Sequence, residues 1–377
     1  MHRALLAAAT FAGVALAGGC YNPSFDNPTC PTGECPSGFT CVQGQCVSGN
    51  SDIDAPNADG TDRDATITDG TPAVDAPVDA NPCTGVSATW TRLTPTTSPP
   101  ARYGHSMAYD PTRQRVVLFG GRTGPTNADL LGDTWEFDGT TWTQRTVVTP
   151  PTPRSDAAMV YDEAAGRVMM YGGYTSGGGT QSTYLWDGAA WSSRSTTGSP
   201  SFRHDHGLAY DTVNDRAVLF GGFLGGVGVD GHTWEWNTAN STWTDRTPAT
   251  SPSPRLDHAM AFDVTRGLTV LFGGPDNQTW TWDQTTLTWT PRTTAPCTPP
   301  GSEPTLVHDP SRSTVVLLTG TDVWEWNGTG WTKTVTNAGP ASLDESAAAY
   351  STASSGIVVF GGLAGTPLGD TWILDVQ

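Results

Sequence analysis

Four arginines recur at one point of a repeating pattern, Arg102, Arg154, Arg203 and Arg255, and three histidines follow three residues later at His105, His206 and His258. Guanidinium and imidazole groups in that spacing could hold an anion at a common site, and three imidazoles could ligate a metal. The competing reading is structural: each Arg pairs with a neighbouring Asp or packs on a Trp, and each His bonds a backbone group. A position written into every copy of a repeat usually serves the scaffold, so the structural reading is favoured and no metal or cofactor is expected. The pattern also lapses, with Gly301 and Leu343 at the Arg position and Ala157, Pro304 and Ser346 at the His position. The sequence contains no Ser/His/Asp elbow, phosphate-cradling glycine loop or His-Glu-x-x-His, and no catalytic residue is assigned.

These residues open a unit of 42 to 52 residues that recurs from residue 86 onward. Self-similarity at that period signals a propeller or an array. Each unit reads as four strands. The first runs from Arg-x-x-His to Tyr-Asp or a variant, as in Arg102 to Asp110, and a turn such as Asp110-Pro111-Thr112-Arg113 follows. The second is wholly apolar and ends in diglycine, as in Val116 to Phe119 before Gly120-Gly121, which suits a strand covered on both faces. The third has the form Thr-Trp-x-aromatic-Asp/Asn, as in Thr233-Trp234-Glu235-Trp236-Asn237. A hairpin such as Asp138-Gly139 leads to the fourth, which carries one Trp: Trp142, Trp191, Trp243, Trp289 or Trp331. The copy at Thr371-Trp372 has no such follower, whereas a spare Trp90 lies upstream.

The diglycine after an apolar strand, the aromatic third strand and the fourth-strand Trp resemble the kelch repeat over residues 86 to 377. The resemblance implies an all-β chain, a six-bladed kelch-type β-propeller over residues 83–377 like the central domain of galactose oxidase. The strand around Trp90 is expected to complete the last blade, beside Trp372, and to close the ring. The regular Trp-x-Trp strands then belong to the core between blades. A copper oxidase acting on sugars is among kelch propellers, with a Tyr–Cys radical pair and two His ligands. Here only Cys83 and Cys297 fall in the propeller, neither in a blade strand near a Tyr.

Binding residues are better sought where the repeat is broken. The loops between second and third strands read as long in the first three blades, Arg122 to Gly132, Tyr174 to Ser182 and Phe223 to His232, and short in the last three. Candidates for a ligand-binding loop face are Arg122, Asn127, Asp129, Tyr174, Gln181, Phe223, Asp230, His232, Asp276 and Asn277, with Tyr103 and Phe202 as further stacking groups.

Ahead of the propeller, residues 1–19 read as an export signal followed by Cys20, a candidate lipidation site of a bacterial lipoprotein. Tyr21 after it favours the outer membrane. Cys30, Cys35, Cys41 and Cys46 within residues 20–46 are expected to form two disulfides. Residues 47–82 are an Asp/Ala/Pro linker whose coil would span about 30–35 Å. Cys83 and Cys297 remain. In a propeller they should lie on opposite faces, too far apart to bond, leaving Cys83 to pair elsewhere or both free. The net charge of -18 argues against nucleic acid.

Together these features predict a monomeric, envelope-anchored binding module that presents its loop face to a protein or a glycan. A carbohydrate-active enzyme with acidic residues at the channel mouth is the alternative, and a structural envelope component the third reading.

Overall fold

The computed structural model describes the strands Phe39–Val42 and Gln45–Ser48 and residues 83–376 apart from 295 and 302. The chain falls into two compact units, Met1–Val74 and Asp75–Gln377. In the first, the two strands pair antiparallel with Cys41 opposite Cys46. The signal segment, Cys20, Cys30, Cys35, the side chains of Cys41 and Cys46, and most of the acidic linker lie outside the described residues.

In the second unit the expected strands form radial sheets. Blade 1 comprises Ser106–Asp110, Arg115–Phe119, Thr134–Phe137 and Trp142–Arg145. Blade 2 comprises Ala158–Asp162, Arg167–Tyr171, Thr183–Trp186 and Trp191–Arg194. Blade 3 comprises Gly207–Asp211, Arg216–Phe220, Thr233–Asn237 and Thr242–Asp245. Blade 4 comprises His258–Asp263, Leu268–Gly273, Thr279–Asp283 and Thr288–Arg292. Blade 5 comprises Thr305–Asp309, Thr314–Thr319, Asp322–Trp326 and Trp331–Thr336. Blade 6 has Ala347–Ser351, Gly356–Phe360 and Thr371–Val376, and takes its fourth strand from Thr84–Leu93 at the start of the unit. The innermost strands contact one another in cyclic order, Ala347–Ser351 against Ser106–Asp110, so the ring of six blades is closed.

Each seam between blades is an apolar cluster built from the second strand of one blade and the aromatic strands of the next. The fourth-strand tryptophans also tie the seams by one repeated hydrogen bond. Trp142 Nε1 donates to Thr371 Oγ1 at 2.9 Å, Trp191 to Thr134 at 2.9 Å, Trp243 to Thr183 at 3.3 Å, Trp289 to Thr233 at 2.8 Å and Trp331 to Thr279 at 2.8 Å. The acceptor is the Thr of the Thr-Trp motif in the preceding blade. A buried indole N–H needs such a partner, and this one couples neighbouring blades.

The closing strand follows a variant of this scheme. Blade 5 carries Val323 where the other blades have Thr, so no hydroxyl waits for Trp90. Instead the Trp90 ring meets Trp372 edge to face at 6.3 Å, as the sequence suggested. Asn337 brackets its backbone, accepting from Trp90 N at 2.6 Å and donating to Trp90 O at 3.0 Å.

Two expectations are corrected here. Cys83 and Cys297 are bonded to each other, with Cα atoms 5.3 Å apart. The closing strand does not begin at the edge of blade 6. Its first half leaves Thr371–Val376 and runs parallel to Trp331–Thr336 of blade 5, with Thr84 opposite Lys333. Cys83 is thereby carried onto the apolar cluster between blades 4 and 5, where Cys297 already packs with Trp331. The second correction concerns the loops. The sixth, residues 361–370 between Phe360 and Thr371, is long and carries its own Leu363–Pro367 bridge, so only the loops of blades 4 and 5 are short.

Candidate functional site

The four repeated arginines do not ring the channel mouth. Their side chains are buried within the blades, at most 2 % exposed. Each donates from Nη1 to the first carbonyl of the diglycine in its own blade: Arg102 to Gly120 at 2.9 Å, Arg154 to Gly172 at 2.8 Å, Arg203 to Gly221 at 2.6 Å and Arg255 to Gly273 at 2.7 Å. A residue of the loop between second and third strands completes the shell. Asp133 pairs with Arg102 at 2.7 Å, Asp230 with Arg203 at 2.7 Å and Asp276 with Arg255 at 3.0 Å, while Ser182 takes this place for Arg154. The guanidinium therefore pins the loop of each blade to the strand end. Asp230 and Asp276, proposed above as available polar groups, are engaged in this role. Asp230 is buried and also bonds His232 Nδ1 at 2.6 Å.

The three histidines are 6 % exposed, each ring edge-on to an aromatic of the preceding blade. The pairs are His105 with Phe360, His206 with Tyr171 and His258 with Phe220. Burial, reinforced by the adjacent arginines, lowers their pKa values, to about 3 for His105 and His258 and well below the ordinary value for His206. They are neutral packing groups at physiological pH.

Between the Arg and His positions lies a residue that sequence reasoning passed over. It is Gly104, Asp156, Asp205, Asp257, Glu303 and Glu345 in blades 1 to 6, and all six have φ between +40° and +61°. Left-handed backbone is sterically costly for side chains larger than those of Gly, Asn and Asp, so two glutamates there mark a constrained turn. Backbone hydrogen bonds link this position from blade to blade. Gly104 N donates to Glu345 O at 3.1 Å, Asp156 N to Gly104 O at 2.8 Å, Asp205 N to Asp156 O at 3.2 Å and Asp257 N to Asp205 O at 3.3 Å. Five carboxylates are thus gathered round the axis on the face of the long loops. With Tyr103, Arg122 and the histidines they line a cavity of about 360 Å³.

Mutual repulsion and burial disfavour the ionised forms there. Asp156 is pushed up to about 6 by burial and by Asp205, and Asp257 to about 7 by burial, Asp205 and Glu303. Glu345 is raised to about 7 by burial and by Asp156, and Glu303 is raised by burial and Asp344. Two basic side chains face this charge on one side of the cavity. His204 Nδ1 lies 2.6 Å from Asp205 Oδ2, and its pKa is raised by that carboxylate against the effect of burial. Arg122 reaches Asp156 at 3.3 Å, its guanidinium between the rings of Tyr103 and Tyr174 at 6.0 and 5.6 Å.

Asp156, His204 and Asp205 offer ligand atoms within 4.8 Å of one another and are the described group with the make-up of a cation site. Arg122 already engages that Asp156, which opposes a metal there. Chemically, the mouth can attract cations and exchange protons near neutral pH.

The remaining candidates are dispersed. Tyr174 and Phe223 flank His204 edge-on, at the rim of the cavity. Asn127 and Gln181 are exposed on loops, and Asp129 is half-buried, its carboxylate accepting from Thr126 N. His232 is half exposed, and Asn277 occupies a left-handed turn in the short blade 4 loop. The carboxylate position was present in the sequence as Asp156, Asp205, Asp257, Glu303 and Glu345, two residues after each Arg position. Its signal was the acid itself, repeated in five of the six units.

Residues 83–199 match the KLHDC2/KLHL20/DRC7 Kelch-repeats domain. The chain is also 39% identical over 83 residues to Dynein regulatory complex subunit 7 of Chlamydomonas reinhardtii, a stretch covering 21% of this chain and 7% of that protein. The chain therefore spans a small part of the length of this relative. The match over residues 83–199, together with the radial sheets and diglycine strands, supports a kelch-repeat β-propeller for the second unit.

Proposed function

We propose that the propeller is a binding module, held at a cell envelope by the lipid expected at Cys20, that presents its acidic mouth and long loops to a protein partner. The observation that carries this reading is the ring of five carboxylates, of which only Asp156 and Asp205 form ion pairs among the described residues. A concentrated charge of one sign in a concave mouth focuses the field on an oppositely charged group. It steers encounter and selects partner more than it adds affinity. The loops add Tyr103, Tyr174 and Phe223, aromatic groups of the kind enriched at protein interfaces.

A second reading is a glycan-processing site, favoured by the carboxylates that Asp257 and Glu345 hold near pH 7, a range suited to proton transfer. Two measurements separate the readings. The immobilised propeller is tested for retention of solubilised envelope proteins, with wild type and with Asp257→Asn, Glu303→Gln and Glu345→Gln combined. Retention lost in the triple variant supports the proposal, and unchanged retention removes the mouth from it. A glycan array probed with wild type and with Tyr174→Ala/Phe223→Ala, followed by turnover assays, tests the alternative. Glycan binding or cleavage without protein retention overturns the protein-partner reading.

A further inference from the structure

Beside the mouth, a second cavity of about 430 Å³ opens on the same face between blades 3, 4 and 5. Its walls are Val229, Pro254, Leu256 and Pro275, together with Gly274 and Gly301. The groove exists because two repeat features lapse together. The blade 4 loop is cut to a few residues after Gly273-Gly274, and the blade 5 turn carries Gly301 where blades 1 to 4 carry Arg. On its blade 3 side the loop leaves Val229 40% and Val227 79% exposed. Apolar side chains left in solvent on an otherwise polar loop face are what binding surfaces display.

The groove and the acidic mouth share a wall, since Asp257 and Glu303 line both cavities. Neither carboxylate has an ion pair among the described residues, whereas Arg255, which also lines the groove, is buried and paired with Asp276. From the groove and this charge arrangement we infer that the surface takes an extended segment of a partner protein in which a Lys or Arg stands next to an aliphatic residue. The aliphatic side chain fills the groove over Val229 and Leu256. The cationic side chain passes over the wall to Asp257 and Glu303. An acidic segment would meet repulsion from both carboxylates, and a purely basic one would leave the apolar groove wet. This inference rests on the protein-partner reading and narrows it to one chemistry and one sector of the face.

The test uses the intact chain and fluorescent nonapeptide pools of randomised flanks. One pool fixes Leu-Lys and Lys-Leu pairs at the centre, a second replaces Lys by Gln, a third replaces Lys by Glu and a fourth replaces Leu by Ser. Binding by polarisation should be at least about tenfold stronger for the first pool than for any other, about 1.4 kcal/mol. Val229→Ser/Leu256→Ser and Asp257→Asn/Glu303→Gln should each reduce it by a similar factor, while Asp138→Asn, in the exposed hairpin between the third and fourth strands of blade 1, leaves it unchanged. Thermal melts confirm that each variant folds. Equal binding of the Lys and Gln pools, or binding indifferent to the groove variants, overturns the inference. If the peptides bind but the groove variants have no effect, the protein-partner reading survives and this sector is wrong. If no pool binds and the retention experiment is also negative, both fall.

Discussion

Asp205 and His206, like Asp257 and His258, are neighbours in sequence that meet opposite fates in the fold. The carboxylates gather at the mouth of the channel, and the imidazoles turn one step inward onto Tyr171 and Phe220. Both rings of residues are shaped by desolvation, which disfavours whichever form is charged. It raises the acids toward neutrality, Asp257 to about 7, and lowers the histidines, His258 to about 3. At neutral pH the inner ring is therefore uncharged packing. In the outer ring, which lies in reach of water, Asp257 and Glu345 titrate close to neutral pH. The comparison teaches that in this repeat the charge available for recognition is decided by a displacement of one residue along a turn.

Moving a carboxylate across that boundary is the most damaging test. His258→Glu places an acid against Phe220, where the imidazole Nε2 now accepts from Gly207 N at 3.2 Å. An unpaired buried charge should cost more than about 4 kcal/mol, among the largest single-residue effects. Differential scanning calorimetry should find a Tm lower by roughly 10 °C or more, or no cooperative transition. Less severe is loss of a buried cation beside the mouth. Arg203→Met leaves the Gly221 carbonyl without its donor and Asp230 with His232 alone, and should cost about 3 kcal/mol in chemical denaturation.

The smallest effect has the opposite sign. A carboxylate whose folded pKa is raised contributes stability that is fully present below its unfolded value and is lost as pH rises through the folded one. For Asp257 and Glu345 that window is about pH 4 to 7. For His258, lowered to about 3, stability is present above about 6.5 and is lost as pH falls toward 3. The two rings thus pull in opposite directions through the same range. Asp257→Asn removes one member of the outer ring. It should raise Tm at pH 8 and leave it unchanged at pH 4. Solvent screening at this exposed side chain keeps the gain below about 1 kcal/mol, or about 2–4 °C. A gain at pH 4 instead would mean that repulsion in the ring is not its cause.

Much of the architecture was legible because a propeller is built from local instructions. The apolar run ending in diglycine, the Thr-Trp strand and the single Trp that follows each describe a strand and its turn. The displaced Trp90 indicated how the ring closes, since the sixth blade lacked the strand that Trp90 supplied. The Arg and His positions were equally plain, but their direction was not. A guanidinium two residues from the mouth can face the axis or its own blade, and the diglycine carbonyl eighteen residues onward draws it into the blade.

By itself the sequence determined the strands, their grouping into six blades and the strand that joins the two ends, because period and turn chemistry act within a few residues. Only the tertiary structure decided which side of each lead-in turn faces the channel. Residues about fifty positions apart become neighbours there, and a left-handed backbone at Asp156, Asp205, Asp257, Glu303 and Glu345 brings their carboxylates together. The bond between Cys83 and Cys297 belongs to the same category. It depends on a closing strand that slants from blade 6 onto blade 5, a consequence of sheet pairing that no local pattern records.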